Sequence, residues 1–161
     1  MNLFLPYPTD LSATARFLDD GRLNKQVVEA YQVGRVVLRR MLEPDAKIGW
    51  KNHPSSLLIY NEGRPKFPWL QTYIETLDEE WRFRGFNRSA DFTSKIEALF
   101  VEADGLRELH SDEPVCAFLG NGELVQGDSA LIGKLYREYL NNKFESQVRP
   151  PRWTGRDRPV V

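Results

Sequence analysis

The sequence predicts a mainly α-helical fold, with one compact domain over residues 1–161, five to six helices, and an irregular basic tail over residues 145–161. Two observations support this prediction. The longest periodic segment has apolar residues at alternating steps of four and three, which is the spacing of an amphipathic helix. These residues are Leu23, Val27, Ala30, Gly34, Val37 and Met41. No internal repeat or long linker divides the chain, and a hydrophobic fraction of 41% supplies one core.

The first helices are predicted from capping residues and helix breakers. Ser12 or Asp10 caps a short helix that runs through Leu18. Asp19-Asp20-Gly21 interrupts the pattern and provides capping carboxylates for the long helix described above. Residues 42–54 are rich in Pro, Asp, Gly and Asn and predict a loop.

The remaining elements follow the same logic. Ser55 caps a brief helix through Tyr60, and a longer helix starts near Pro68 and ends at Gly85. Residues 91–109 predict another helix, although Gly105 weakens it, and residues 115–119 predict a short extended piece. Asp128 caps a last helix that runs to the Asn141-Asn142 pair.

The charge distribution is uneven, although the net charge is only −1 and the pI is near 6.2. A nearly neutral total argues against duplex binding, because DNA-binding domains usually carry a basic balance. Two basic regions nevertheless flank an acidic middle, and together they could hold phosphates. The alternative is a solvated helix face and a solvated tail. The basic residues are Arg22, Lys25, Arg35, Arg39 and Arg40, then Lys143, Arg149, Arg152, Arg156 and Arg158.

Several classes of protein are excluded by what the sequence lacks. Cys116 is the only cysteine, so no intrachain disulfide forms, and we expect a cytoplasmic location. The opening Met1–Pro8 has no basic region and is broken by prolines, so we expect neither a signal peptide nor a membrane partner. With only His53, His110 and Cys116, a structural zinc site lacks ligands. Phosphate-binding lysine loops and serine-hydrolase elbows are also absent.

A polar stripe along the long helix is the first candidate site. Arg22, Lys25, Glu29 and Gln32 share one helix face. Arg22 and Lys25 would hold phosphates, while Glu29 or Gln32 would address a base or sugar. The alternative is an exposed Lys25–Glu29 ion pair without function.

Two further clusters offer nucleic-acid chemistry. In the loop, Trp50, Lys51, Asn52 and His53 combine a stacking surface, a cation and a proton carrier, as an extruded base would require. The alternative is a turn that leads into the next helix. In the tail, arginines alternate with an aromatic residue, which suits a DNA backbone or simply a disordered basic tail. These tail residues are Arg149, Arg152, Trp153, Arg156 and Arg158.

These segments resemble a known pattern. The opening reads Met-x-x-Phe-x-Pro-x-Pro, and it is followed by Leu18-Asp19-Asp20, by Arg22-Leu23-Asn24-Lys25-Gln26, and by Gly49-Trp50 with Asn52-His53-Pro54. Their order and spacing resemble the bacterial and phage proteins grouped as pyrimidine-dimer DNA glycosylases of the endonuclease V type. The specific part covers roughly the first third of the chain. The Trp69 helix and Trp153-Thr154 are weaker matches.

The resemblance implies a compact helical fold with the N-terminus buried near its centre, acting as a monomer on DNA. It implies that an amine removes a damaged pyrimidine, forms a Schiff base with the deoxyribose and cleaves the strand by β-elimination, with no cofactor. An α-amino group suits this chemistry, because its pKa near 8 leaves an unprotonated fraction at neutral pH. On a DNA substrate we expect contacts from Arg22, Lys25, Gln26, Gln32, Trp50, Asn52, Arg152, Trp153 and Arg156.

Two departures from the family pattern leave alternatives open. Asn2 is a large neighbour for removal of the initiator methionine, so the nucleophile is the amine of Met1 or, after removal, that of Asn2. Family members carry a glutamate directly after an arginine, whereas Arg22 is followed by Leu23. Asp19, Asp20 or Glu29 could replace that glutamate, with His53 as a further catalytic residue. A DNA-binding protein without catalysis, or an enzyme with another nucleic-acid or nucleotide reaction, are the alternative functions.

Overall fold

The structure, a computed structural model, describes residues 2–161. In that part of the chain six α-helices form, as predicted, together with two very short strands. The helices are α1 (Leu11–Phe17), α2 (Asp20–Leu42), α3 (Pro54–Tyr60), α4 (Phe67–Phe83), α5 (Ala90–Asp104) and α6 (Ser129–Ser146). The strands β1 (Ala117–Phe118) and β2 (Val125–Gln126) pair antiparallel. None of the helices within residues 2–161 is both long and apolar enough to cross a lipid bilayer.

Helix α2 is the central element, and it packs against α3, α4 and α5. Its predicted apolar stripe is buried, with Leu23, Val27 and Ala30 at 0% exposure. Gly34 allows the close approach of two neighbours, because a Cβ there would lie 2.7 Å from a methyl group of Leu99 and 3.1 Å from one of Leu70. The helix that was clearest in the sequence therefore organises the core.

The segment that begins at Leu3 packs into the core. Leu3 and Leu5 belong to the buried core, and the carbonyl of Pro6 accepts a 2.6 Å hydrogen bond from Arg137 of α6. Burial of these apolar side chains stabilises an otherwise irregular segment. The N-terminus itself, which the family resemblance implied to be buried, lies outside the described residues.

Two helix boundaries differ from the prediction. His53, rather than Ser55, caps α3, because its Nδ1 accepts the N–H of Ser55. Helix α6 continues past the two asparagines to Ser146, since Phe144 in its last turn is buried against Phe17 and Trp153. Tertiary packing has here overridden a weak local signal.

Helix α5 and one side chain of α6 also correct the prediction. Helix α5 ends at Asp104, where Gly105 follows, and residues 107–109 form a separate 3₁₀ turn. Leu131 has the helical spacing of the apolar face with Leu135 and was expected to face inward, but it is exposed, whereas its neighbour Ile132 is buried.

Arg84 joins three parts of the fold at the start of α2. Its fully buried guanidinium donates to Glu80 at 3.0 Å, to Asp20 at 2.9 Å and to the carbonyl of Leu18 at 2.8 Å. The irregular tail packs beside this junction, where the carbonyl of Arg152 accepts the N–H of Asp20 at 2.7 Å. The tail is therefore part of the packed structure even though it contains no regular element after Ser146.

Candidate active site

The first described residues are held against α2 by hydrogen bonds to side chains. The backbone N–H of Asn2 donates to Oε2 of Glu29 at 3.2 Å, and that of Phe4 donates to Oε1 of Gln26 at 3.1 Å. The carbonyl of Asn2 accepts a 2.8 Å hydrogen bond from Nε2 of Gln26. Asn2 and Phe4 are therefore held against α2.

The two carboxylate oxygens of Glu29 have different surroundings. Oε2 accepts hydrogen bonds from Asn2 and from Nε2 of Gln26, each at 3.2 Å. Oε1 lies 3.7 Å from Nζ of Lys25, whose side chain is 73% exposed while that of Glu29 is only 15% exposed. A shielded carboxylate beside an exposed cation can take up or deliver a proton at a bound ligand.

His53 enters this region from the loop before α3, which packs against α2. Its Nδ1 accepts the Ser55 N–H at 3.2 Å, so a neutral ring carries its proton on Nε2. Burial lowers the pKa of His53 below 6.5, and the charge of Glu29 opposes this shift. The imidazole is therefore mainly neutral at pH 7. Asn2, Lys25, Glu29 and His53 are called the Glu29 site below.

The loop beside His53 presents an exposed aromatic ring. Trp50 is 61% exposed, has a positive φ of 65° and places its ring 5.5 Å from that of His53. A non-glycine residue in this backbone region carries strain that often marks a functional position. The loop lines an open cavity of about 550 Å³ whose wall includes Lys47, Lys51 and Asn52.

Several predicted site residues lie elsewhere. Arg22 binds Asp19 at 3.2 Å and Oε1 of Gln147 at 2.6 Å, at the start of α2. Asp20 accepts from Arg84 and from the hydroxyl of Thr154 at 2.6 Å. Asp20 lies about 13 Å from Glu29 along the helix axis. Among the candidate carboxylates, Glu29 is the one that the described residues show bound to Asn2.

The tail residues also stay away from the Glu29 site. The side chain of Arg156 binds Glu80 at 2.8 Å and stacks on Phe83. Arg152 is exposed near the start of α2. Gln32 is exposed on α2, about one turn beyond Glu29. Asn52 is exposed in the loop before α3.

Two predicted substrate contacts need correction, and one prediction lies outside the described residues. Gln26 is 0% exposed, because it replaces an apolar residue in the buried stripe of α2. Trp153 is 8% exposed, and its Nε1 donates to the carbonyl of Phe17 at 3.0 Å. Neither side chain is accessible to a ligand on the surface. Met1, the predicted nucleophile, falls outside the described residues.

A protein-family model described as pyrimidine dimer DNA glycosylase matches residues 1–94, more than half of the 161-residue chain. The chain belongs to the pyrimidine dimer DNA glycosylase family. Every residue of the Glu29 site lies within the matched region, whereas most of α5, all of α6 and the tail itself lie beyond it. No curated protein and no solved structure gives a match.

This pyrimidine dimer glycosylase family member contains one important residue that the sequence did not indicate. Tyr73 of α4 is fully buried, and its hydroxyl lies 2.6 Å from Oε1 of Gln26 and 2.8 Å from the carbonyl of Phe4. In the sequence it belongs to an apolar stripe and resembles any core aromatic. For Gln26 a signal did exist, since it follows Leu23 by three positions within the stripe. Within residues 2–161, no group of three or more His, Cys, Asp or Glu side chains could hold a metal ion.

Proposed function

We propose that the protein is a DNA glycosylase that removes a damaged pyrimidine and cleaves the resulting abasic strand. The α-amino group of Met1 acts as the nucleophile and Glu29 as its proton-transfer partner. The main support is the hydrogen bond from Asn2 to Glu29, at 3.2 Å. Three covalent bonds, which span at most about 4 Å, separate the Asn2 nitrogen from the amine of the preceding residue. Asn2, which follows that amine in the chain, is thus the described residue that supports the assignment of Glu29.

The chemistry proceeds at C1′ of the deoxyribose. The amine attacks C1′, the bond from C1′ to the base breaks, and the base leaves with the bonding electrons. Glu29 accepts the proton that the attacking nitrogen loses. Opening of the sugar ring then gives a Schiff base, and loss of a C2′ proton expels the 3′ phosphate. An α-amino group performs the first step at neutral pH, because its ordinary pKa is about 8.

Exposed groups around the Glu29 site would hold the DNA. Exposed Lys25 would bind a phosphate, and an extruded base would stack on the exposed ring of Trp50. Lys51 and Asn52 line the same open cavity as Trp50 and His53. This arrangement gives a local cationic surface on a protein whose net charge is −1.

The test uses three duplexes of one sequence: undamaged, ultraviolet-irradiated, and with a single abasic site. Each is incubated with the protein, and borohydride is then added to reduce any Schiff base. We expect strand cleavage of the irradiated duplex and a covalent adduct with the abasic one, but neither with undamaged DNA. Binding without strand cleavage or adduct would overturn the proposal in favour of a non-catalytic DNA-binding protein.

A further inference from the structure

Gln26 is a buried polar side chain whose hydrogen-bonding groups are all used. Its Nε2 donates to the Asn2 carbonyl at 2.8 Å and to Glu29 Oε2 at 3.2 Å. Its Oε1 accepts from the Phe4 N–H at 3.1 Å and from the Tyr73 hydroxyl at 2.6 Å. Burying an amide costs free energy unless each group is bonded, so this complete network favours a single arrangement.

The direction of the Gln26 amide follows from its backbone neighbours. The Phe4 N–H can only donate, and the Asn2 carbonyl can only accept. Oε1 must therefore face Phe4, and Nε2 must face Asn2 and Glu29. The amide consequently determines which oxygen of Glu29 is engaged, and that oxygen is Oε2.

Tyr73 fixes this amide from the opposite side. Its hydroxyl approaches Gln26 Oε1 and the Phe4 carbonyl, both acceptors, so it serves as a donor. Burial raises the pKa of Tyr73 well above 10.0, which keeps the hydroxyl protonated. Through Tyr73, helix α4 thus supports the positions of Phe4 and Gln26, although Tyr73 itself is fully buried.

We propose that Gln26 and Tyr73 are positioning residues. They hold Asn2 and Oε2 of Glu29 in one arrangement and leave Oε1, on the side of exposed Lys25, as the oxygen that accepts the proton from the attacking amine. This inference rests on the proposed function. Residues that hold a reactive group in position affect the reaction rate as well as the reactive group itself.

The test is the rate of borohydride trapping on an abasic duplex between pH 6 and pH 8. In Gln26→Glu a carboxyl oxygen replaces the amide nitrogen that faces Asn2 and Glu29. When protonated, the new carboxyl group donates one hydrogen bond to Glu29, and when ionised it repels Glu29. The wild-type to variant rate ratio should therefore increase by at least about tenfold from the lower to the higher pH. Rates are expressed per folded molecule at each pH, so that a purely structural defect would leave the ratio the same at every pH.

Tyr73→Phe tests the same idea without a new charge. Loss of the hydroxyl should slow trapping at saturating DNA by about tenfold and leave KM nearly unchanged. Tyr136→Phe is the matched control, because this other buried hydroxyl accepts the Leu119 N–H at 3.1 Å outside the Glu29 site. Its rate should stay within roughly twofold of the wild type.

The outcomes separate the two proposals. Trapping by the wild type with a constant Gln26→Glu ratio, or with equal effects of Tyr73→Phe and Tyr136→Phe, would overturn the positioning role alone. No trapping by the wild type would overturn the proposed function and this inference with it. A ratio that rises with pH, together with a selective effect of Tyr73→Phe, supports both.

Discussion

Asn2 and Glu29 are 27 positions apart in the chain, yet the backbone N–H of the first donates to Oε2 of the second at 3.2 Å. Because the donor is a backbone N–H, this hydrogen bond does not depend on which side chain stands at position 2. This hydrogen bond joins Asn2, the first described residue, to Glu29 of α2. The predictions below follow from this relationship and from the fold that maintains it.

Glu29→Gln should abolish turnover while leaving DNA binding intact. The amide keeps the shape and can still accept from Asn2, but it does not take up a proton. We expect the trapping rate on an abasic duplex to fall at least about 100-fold, as is common when a general acid or base is lost. Affinity for the same duplex is measured by fluorescence anisotropy. Glu102→Gln, in an exposed pair with Arg35 at 3.9 Å, is the control and should be fully active.

His53 should make folding stability depend on pH. Its folded pKa lies below the ordinary value of 6.5, because burial disfavours the charged ring. As the pH falls through about 6.5, the unfolded chain gains a proton before the folded chain does, so the free energy of unfolding decreases. Asn is a good helix cap that does not titrate, so His53→Asn should lose this component. Urea unfolding of the wild type and of His53→Asn at pH 7.5 and pH 5.5 measures the change in the free energy of unfolding. An equal change in the two proteins would contradict the role of His53.

Most of the fold was predictable because it depends on local patterns. Asp10, Asp19 and Asp128 cap their helices as side-chain acceptors, and each is visible in the sequence. The end of α6 was not predictable, because a distant aromatic contact of Phe144 with Trp153 stabilises its last turn. Local propensity carries no information about such contacts.

The candidate site was predictable only in part, for a similar reason. Glu29 and His53 were candidates from residue type and order, but the choice between Glu29 and Asp20 required tertiary contacts. Asp20 looked equally available in the sequence until Arg84, which is 64 positions away, was found to bind it. The packing of the tail over the start of α2 was likewise not predictable from the sequence.

Trp50→Ala should weaken DNA binding without changing stability. The ring is exposed, so its removal leaves no cavity, while a stacked base contributes about 1–3 kcal/mol. We expect the dissociation constant for an abasic duplex to rise by roughly tenfold or more. Trp50→Phe keeps an aromatic face and should retain most of the affinity. Equal affinities of the alanine variant and the wild type would show that the ring does not contact DNA.

Arg84→Met should destabilise the fold strongly. The substitution leaves Glu80 and Asp20 without their shared buried cation, and loss of one partner of a buried pair costs about 3–5 kcal/mol. Arg82→Met, two positions away on the exposed face of α4, breaks a 3.9 Å surface ion pair with Asp78 and a 3.5 Å hydrogen bond to its carbonyl. It should change stability by less than about 1 kcal/mol. Thermal unfolding compares the two variants, and similar losses would contradict the structural role of Arg84.

The central claim is tested most directly by locating the covalent bond to DNA. The protein is trapped on an abasic duplex with borohydride, digested, and analysed by mass spectrometry to identify the modified nitrogen and the first residue of the mature chain. We predict that the sugar is attached to the α-amino group of that first residue, Met1 unless the methionine is removed. Attachment to Lys25 or Lys51, or an adduct that still forms after the α-amine is acetylated, would contradict the account.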